Sequence, residues 1–106
     1  MSVPVRRTMI RYKVKAEKAR ENEGYVREVF AALARTRPQG LRYASFKAAD
    51  GVSFVHIVSH ENSDGRNLLA ELPEFRAFTA AIGERCEEGP MAMDLEEIGA
   101  YGLFGK

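Results

Sequence analysis

The sequence predicts an α+β domain built in the order β-α-β-β-α-β. Three observations carry that prediction: a strand-like alternation that gives way to a helical stripe between Thr8 and Thr36, a hairpin signal at Asp50-Gly51, and a helix start at Pro73-Glu74-Phe75. From Thr8 to Lys15, Ile10, Tyr12 and Val14 alternate with Met9, Arg11 and Lys13, the period of a strand. From Ala16 to Thr36 the period is helical. Val26, Val29, Phe30 and Leu33 fall on one stripe, and Glu21, Glu23, Arg27, Glu28 and Arg35 take the opposite side. Gly24 weakens the first turns of this helix, while Pro38 cannot continue it and Gly40 relaxes its exit.

Leu41 to Ala48 and Val52 to His60 are the next two strands. A two-residue type I′ turn at Asp50-Gly51 pairs Ser45 with His56 and Tyr43 with Val58. That register places Leu41, Tyr43, Ser45, Phe54, His56, Val58 and His60 on one face, and Ala44, Phe46, Val55 and Ile57 on the other; a slip of one residue would exchange the faces. After a polar turn at Asn62 to Gly65, Phe75, Phe78, Thr79, Ile82 and Cys86 recur at helical spacing through Glu87, and Gly89-Pro90 closes that helix. The last strand is expected over Leu95 to Phe104, with Ile98, Ala100 and Phe104 on one side and Tyr101 and Leu103 on the other. The order is that of a ferredoxin-like antiparallel sheet with two helices on one face, in a single domain over residues 1–106 whose core spans about 8–104.

Composition narrows the class of function. With 45% apolar and 29% charged residues the chain reads as an ordinary folded domain, and a net charge of +1 argues against a protein built around a nucleic acid or a membrane surface. The charge is uneven: the first 20 residues hold seven basic groups against Glu17 alone, and the remainder holds nine against fourteen acidic ones. The ordinary meaning of such an excess is a face paired with acidic neighbours, here Lys13 or Lys15 with Glu96 or Glu97. Cys86 is the only cysteine, which excludes an intramolecular disulfide and fits a reducing compartment. With no signal peptide or long apolar run, a cytoplasmic, bacterial-type protein is the simplest expectation.

A lone antiparallel sheet with helices on one face should be polar on the other, yet its last three strands are apolar or small on both faces. A second copy of the chain is the expected cover, making a homodimer. With that doubly apolar sheet, the passage Phe54-Val-His-Ile-Val-Ser-His-Glu-Asn62, and Leu72-Pro-Glu-Phe-Arg-Ala-Phe78 opening the second helix, the chain resembles the dimeric α/β barrel proteins, and among them the antibiotic biosynthesis monooxygenase-like branch. The resemblance spans roughly Thr8 to Phe104. It implies a small apolar pocket in each protomer, no bound cofactor, and either oxygenation or isomerisation of a small aromatic or polyketide-like molecule. The chain departs from that branch in two places: His60 stands where a pocket tryptophan is often found, and Arg11 and Tyr12 stand where an asparagine is often found. No histidine follows His60, so the haem-ligating mode of related proteins has no ligand here.

His56 and His60 are the only histidines and the first candidates for proton transfer. On one strand they stand about 13 Å apart at roughly 3.3 Å per residue, too far to share a metal ion. Each also has an ordinary explanation, His56 as a satisfied core histidine and His60 as a strand-end residue. Tyr12, Tyr43 and Tyr101, with Phe54, are the candidate ligand-binding residues, because a tyrosine offers apolar area with one polar tip. Cys86 reads as a small buried side chain. Two other functions stay open: a non-catalytic ligand-binding or subunit-interaction protein, and an RNA-recognition module, whose third-strand pattern Gly51-Val-Ser-Phe-Val55 echoes although Val52 and Ile57 stand where aromatic rings belong.

Overall fold

The computed structural model describes residues 5–103. Strand β1 (Arg6–Val14) leads through a 3₁₀ turn at Ala16–Lys18 into helix α1 (Ala19–Thr36). Strands β2 (Leu41–Lys47) and β3 (Ser53–His60) follow, then helix α2 (Pro73–Ala80), the single turn α3 (Ile82–Arg85) and strand β4 (Cys86–Leu95). The sheet order is β2-β3-β1-β4 and every pairing is antiparallel, the ferredoxin-like arrangement. Among the described residues no helix is long and apolar enough to cross a membrane.

Helix α1 stops where the sequence requires. Arg37 turns left-handed at φ 49° and its N–H donates to the Leu33 carbonyl at 2.8 Å, which caps the helix before Pro38. Gly40, at φ 82°, then lets the chain pass Asn62 so closely that a Cβ there would lie 2.8 Å from the Asn62 backbone.

The β2–β3 register is the expected one, with Tyr43 opposite Val58 and Ser45 opposite His56. The turn that sets it is different. Gly51 alone has positive φ; the Gly51 N–H donates to the Ala48 carbonyl at 3.0 Å, and the Asp50 carboxylate accepts from the Val52 N–H, the Ser53 N–H and the Ser53 hydroxyl at 2.6–2.9 Å. Asp50 therefore closes the loop with its side chain and has no need of a left-handed backbone. These three hydrogen bonds hold its carboxyl down at about 2.

The C-terminal third corrects the expectation. The second helix does not run to Glu87: it breaks at Ala81, α3 lasts one turn, and the last strand begins at Cys86, nine residues earlier than expected. Gly89-Pro90 lies inside that strand. β4 is an edge strand, so Pro90 has no partner to disappoint, and two shifts in the β1–β4 register around Arg11, Lys13 and Val14 absorb the extra residues. From 96 to 103 there is no strand, and Ile98 and Tyr101 are fully exposed; Phe104, also expected on that strand, lies outside the described residues. The ion pairs shift accordingly. Lys13 pairs with Glu87 at 3.4 Å, Arg6 with Asp94 at 3.5 Å and Arg7 with Glu97, so the basic first strand is matched by an acidic neighbour and both Lys13 and Glu97 are paired, though not with each other as expected.

The helices cover one face of the sheet. Tyr12, Val14, Val29, Phe54, Val58, Leu69 and Phe78 form the buried core there. On the opposite face the registers line up Phe46, Val55, Arg11 and Met91 in one row and Ala44, Ile57, Met9 and Met93 in the next. Phe46, Met91 and Met93 are 54%, 57% and 52% exposed, an apolar surface of the kind that marks an interaction face.

Candidate functional site

Between the sheet and helices α2 and α3 lies a cavity of about 150 Å³, lined by side chains that include Ile10, Tyr12, Tyr43, His56, Phe75 and Phe78. The strand period puts Tyr12, Tyr43 and His56 there, because the middle strands β1 and β3 and the edge strand β2 all present these residues to the helices. Their rings belong to a column of near-parallel planes: Phe54, Tyr12, His56, Tyr43 and Phe30 stack in succession at centroid distances of 5.1–5.8 Å.

A hydrogen-bonded chain runs through that column, and one end determines the proton positions in the rest. Arg85 can only donate, so the Asn22 atom 3.2 Å from its Nε is the amide oxygen. The Asn22 amide nitrogen then donates to the Tyr12 oxygen at 2.8 Å. Tyr12, having accepted, directs its own O–H to His56 Nε2 at 2.7 Å. A neutral His56 that accepts at Nε2 must carry its proton on Nδ1, and that N–H faces Ser45 Oγ at 2.5 Å and Tyr43 Oη at 2.9 Å. Asn22, Arg85, Tyr12 and His56 are all 2% exposed or less, which makes the chain a fully desolvated polar network.

Burial governs the electrostatics. It lowers His56 to about 4, so the imidazole is neutral at pH 7. It raises Tyr43 to about 12, partly opposed by the Ser45 hydrogen bond, and it raises Tyr12 further, against the pull of Asn22. Among the described residues no group of three His, Cys, Asp or Glu side chains comes together as a metal would require.

The structure brings together three of the six residues singled out from the sequence, Tyr12, Tyr43 and His56. Phe54 stacks behind Tyr12 in the core and does not line the cavity. His60, four residues along β3, opens into a separate groove of about 200 Å³ with Arg6, Asn62 and Arg66, where its Nδ1 is buried without a partner among the described residues. Burial and the Arg6 charge both lower its pKa. Tyr101 lies fully exposed on the segment after β4 and reaches neither space. Sequence reasoning missed Asn22 and Arg85. Both carried a signal: Asn22 is four residues before Val26 on the apolar stripe of α1, and Arg85 continues the Phe75, Phe78, Ile82 stripe, so each is a polar residue in a core position.

No protein-family model and no curated protein matches the sequence. Solved structures do match in shape. A candidate antibiotic biosynthesis monooxygenase from Bacteroides thetaiotaomicron superposes with a TM-score of 0.77 at 13% identity, over 96% of each chain. Another candidate of that description, from Nitrosomonas europaea, gives 0.73 at 14% identity over 92% of this chain and 94% of its own. SnoaB, a cofactor-independent oxygenase from Streptomyces nogalater, gives 0.67 at 17% identity over 92% and 97%. The sheet order, the helices on one face and these superpositions together show that the chain has the ferredoxin-like α+β fold of the antibiotic biosynthesis monooxygenase-like proteins.

Proposed function

We propose that this chain is a cytoplasmic homodimer whose cavity binds a small single-ring phenol, quinol or enolisable compound and oxygenates it without a cofactor. One observation carries the reading: Tyr12, His56 and Tyr43, three groups able to hold or pass a proton, form a connected polar row in the wall of an otherwise largely apolar cavity. Its volume of about 150 Å³ is that of a cavity able to admit benzene. It lies below the roughly 300 Å³ at which drug-sized sites begin, which favours one ring over a fused polycycle. The likeness in fold to a cofactor-independent oxygenase supports the same reading.

The hydrogen-bonded chain suggests the proton path. A ligand hydroxyl or acidic carbon beside Tyr12 gives its proton to the Tyr12 oxygen while Tyr12 passes its own to His56 Nε2. His56 becomes imidazolium, Tyr12 stays neutral, and the ligand is left as its anion, toward which Tyr43 can turn its O–H. The anion then reduces molecular oxygen: the ligand gives up two hydrogens and gains one oxygen atom, and the second oxygen leaves as water. From an ordinary phenol this transfer is uphill by roughly 6 pK units, about 8 kcal/mol, so activated, more acidic compounds are the preferred substrates.

The low basicity of His56, with both ring nitrogens already engaged, supports a second reading, a non-catalytic ligand-binding dimer. Oxygen uptake with quinol- and anthrone-type compounds of one to three rings separates the two. Turnover that His56→Ala abolishes while the dimer stays folded supports the oxygenase. Binding without turnover supports the binder, and neither binding nor turnover refutes both. An RNA-recognition role loses its best support, since Phe54 is buried on the helix side of the sheet. Light scattering tests the dimer: a folded monomer at micromolar concentration would refute it.

A further inference from the structure

Arg85 is 2% exposed, and among the described residues no carboxylate lies within ion-pairing distance of it. Its partners are neutral. Nε donates to the Asn22 amide oxygen at 3.2 Å and Nη2 to the Phe78 carbonyl at 2.7 Å, while the guanidinium carbon sits 4.4 Å from the Tyr25 ring centre and 5.5 Å from that of Phe78. Nη1 has no acceptor among the described residues. An ion taken out of water is strongly disfavoured unless an opposite charge meets it, and buried charges are almost always matched. Here the fold keeps a cation and, among the described residues, supplies no anion.

The unmatched charge lies directly behind the cavity wall. It reaches that wall at two points: through Asn22 to the Tyr12 hydroxyl, and through Phe78, whose backbone it holds and whose ring lines the cavity. The titratable groups around the space are Tyr12 and Cys86 from β1 and β4, Tyr43 from β2, His56 from β3 and Tyr25 from α1. Among the described residues no carboxylate, lysine or arginine lines the cavity itself. We propose that Arg85 is the countercharge for an anionic ligand: the cavity holds phenols and enols as their conjugate bases, and Arg85 acts through Asn22 and Tyr12 as the positioning residue that selects the anion. This rests on the reading of the cavity as a small-molecule site and goes beyond it by naming the ionisation state that the site prefers.

The test uses 4-nitrophenol, a single-ring probe whose anion absorbs visible light and which titrates near neutrality. Bound to the full-length protein it should ionise at lower pH than in water by about one unit or more, a tenfold preference for the anion. Arg85→Met should remove most of that preference, and Arg85→Lys should keep part of it. Asn22→Asp is the sharper variant. It supplies the missing carboxylate, so the melting temperature should hold or rise, while the shift in probe ionisation should disappear because Arg85 is neutralised. If Arg85→Met does not fold, Asn22→Asp and Arg85→Lys still decide the matter. A bound probe that ionises as it does in water, or a shift that Asn22→Asp leaves intact, overturns the proposal while leaving the cavity reading standing. Failure of the wild-type protein to bind any single-ring phenol overturns the cavity reading and this proposal with it.

Discussion

Acid should destabilise this protein through His56. In the unfolded chain the imidazole has an ordinary pKa near 6.5, whereas burial holds it at about 4 in the folded state. Between those values the unfolded chain binds more protons than the folded one, so stability is full above about pH 6.5 and falls as the pH drops toward about 4. A difference of about 2.5 units at 1.36 kcal/mol each gives about 3 kcal/mol. That is a large share of the roughly 5–15 kcal/mol that holds a domain together. The assay is urea denaturation from pH 7.5 to 4.5 at one protein concentration, comparing wild type with His56→Gln, which cannot titrate. The wild type should lose about 2.5 kcal/mol more than the variant across that range, most of the full effect. His60, also depressed, titrates in the same window but is present in both proteins, so it cancels in the difference. Parallel pH profiles for the two proteins would refute the claim that His56 is held neutral by burial.

Three further outcomes follow from the packing. Asn22→Ala should cost about 2–4 kcal/mol, because it strips a buried donor and acceptor from between Arg85 and Tyr12; chemical denaturation at pH 7.5 would show it. Gly24→Ala and Gly40→Ala should move stability in opposite directions when their melting curves are compared. The first places Ala in a helix interior with open space around its Cβ and should gain about 0.5–1 kcal/mol; the second forces a Cβ into the Asn62 backbone at positive φ and should lose more than that. Met93→Asp should break the proposed dimer into monomers in sedimentation experiments, since it puts a charge in the middle of the apolar sheet face without touching the core.

The first 60 residues were legible in the sequence because each element there has one strong signal. The period of β1, the stripe of α1 and the Tyr43–Val58 register of the hairpin all come from alternations with one side buried, and such patterns tolerate only one solution. The hairpin turn was read correctly in position but not in type, because a side-chain carboxylate replaced the backbone conformation that a type I′ turn needs. The second helix and last strand were misplaced because Gly89-Pro90 looks like a terminator. On an edge strand that dipeptide interrupts nothing, and the alternation of Met91, Met93 and Leu95 against Ala92 and Asp94 was the better guide. Half of the candidate site was legible for a similar reason: Tyr12, Tyr43 and His56 lie on the strand face whose register was correct. Tyr101 was lost with the strand that was to carry it. Asn22 and Arg85 stood at core positions of their apolar stripes, but nothing short of the third dimension shows that each has the other for a partner.

The bulged, proline-bearing edge at β4 also limits how copies of this chain can meet. An exposed sheet edge invites another strand to add to it, and chains that accept such additions form open-ended ribbons. Pro90 cannot donate to an incoming strand, and the two register shifts beside it break the regular spacing such a strand would need. Growth by strand addition is blocked along that side. The open face of the sheet offers association of another kind, through the apolar patch of Phe46, Met91 and Met93 that the proposed second copy would cover. In the proposed dimer copies would meet through that patch and not through β4, so the same irregularity that disguised the last strand in the sequence also keeps this edge out of open-ended assembly.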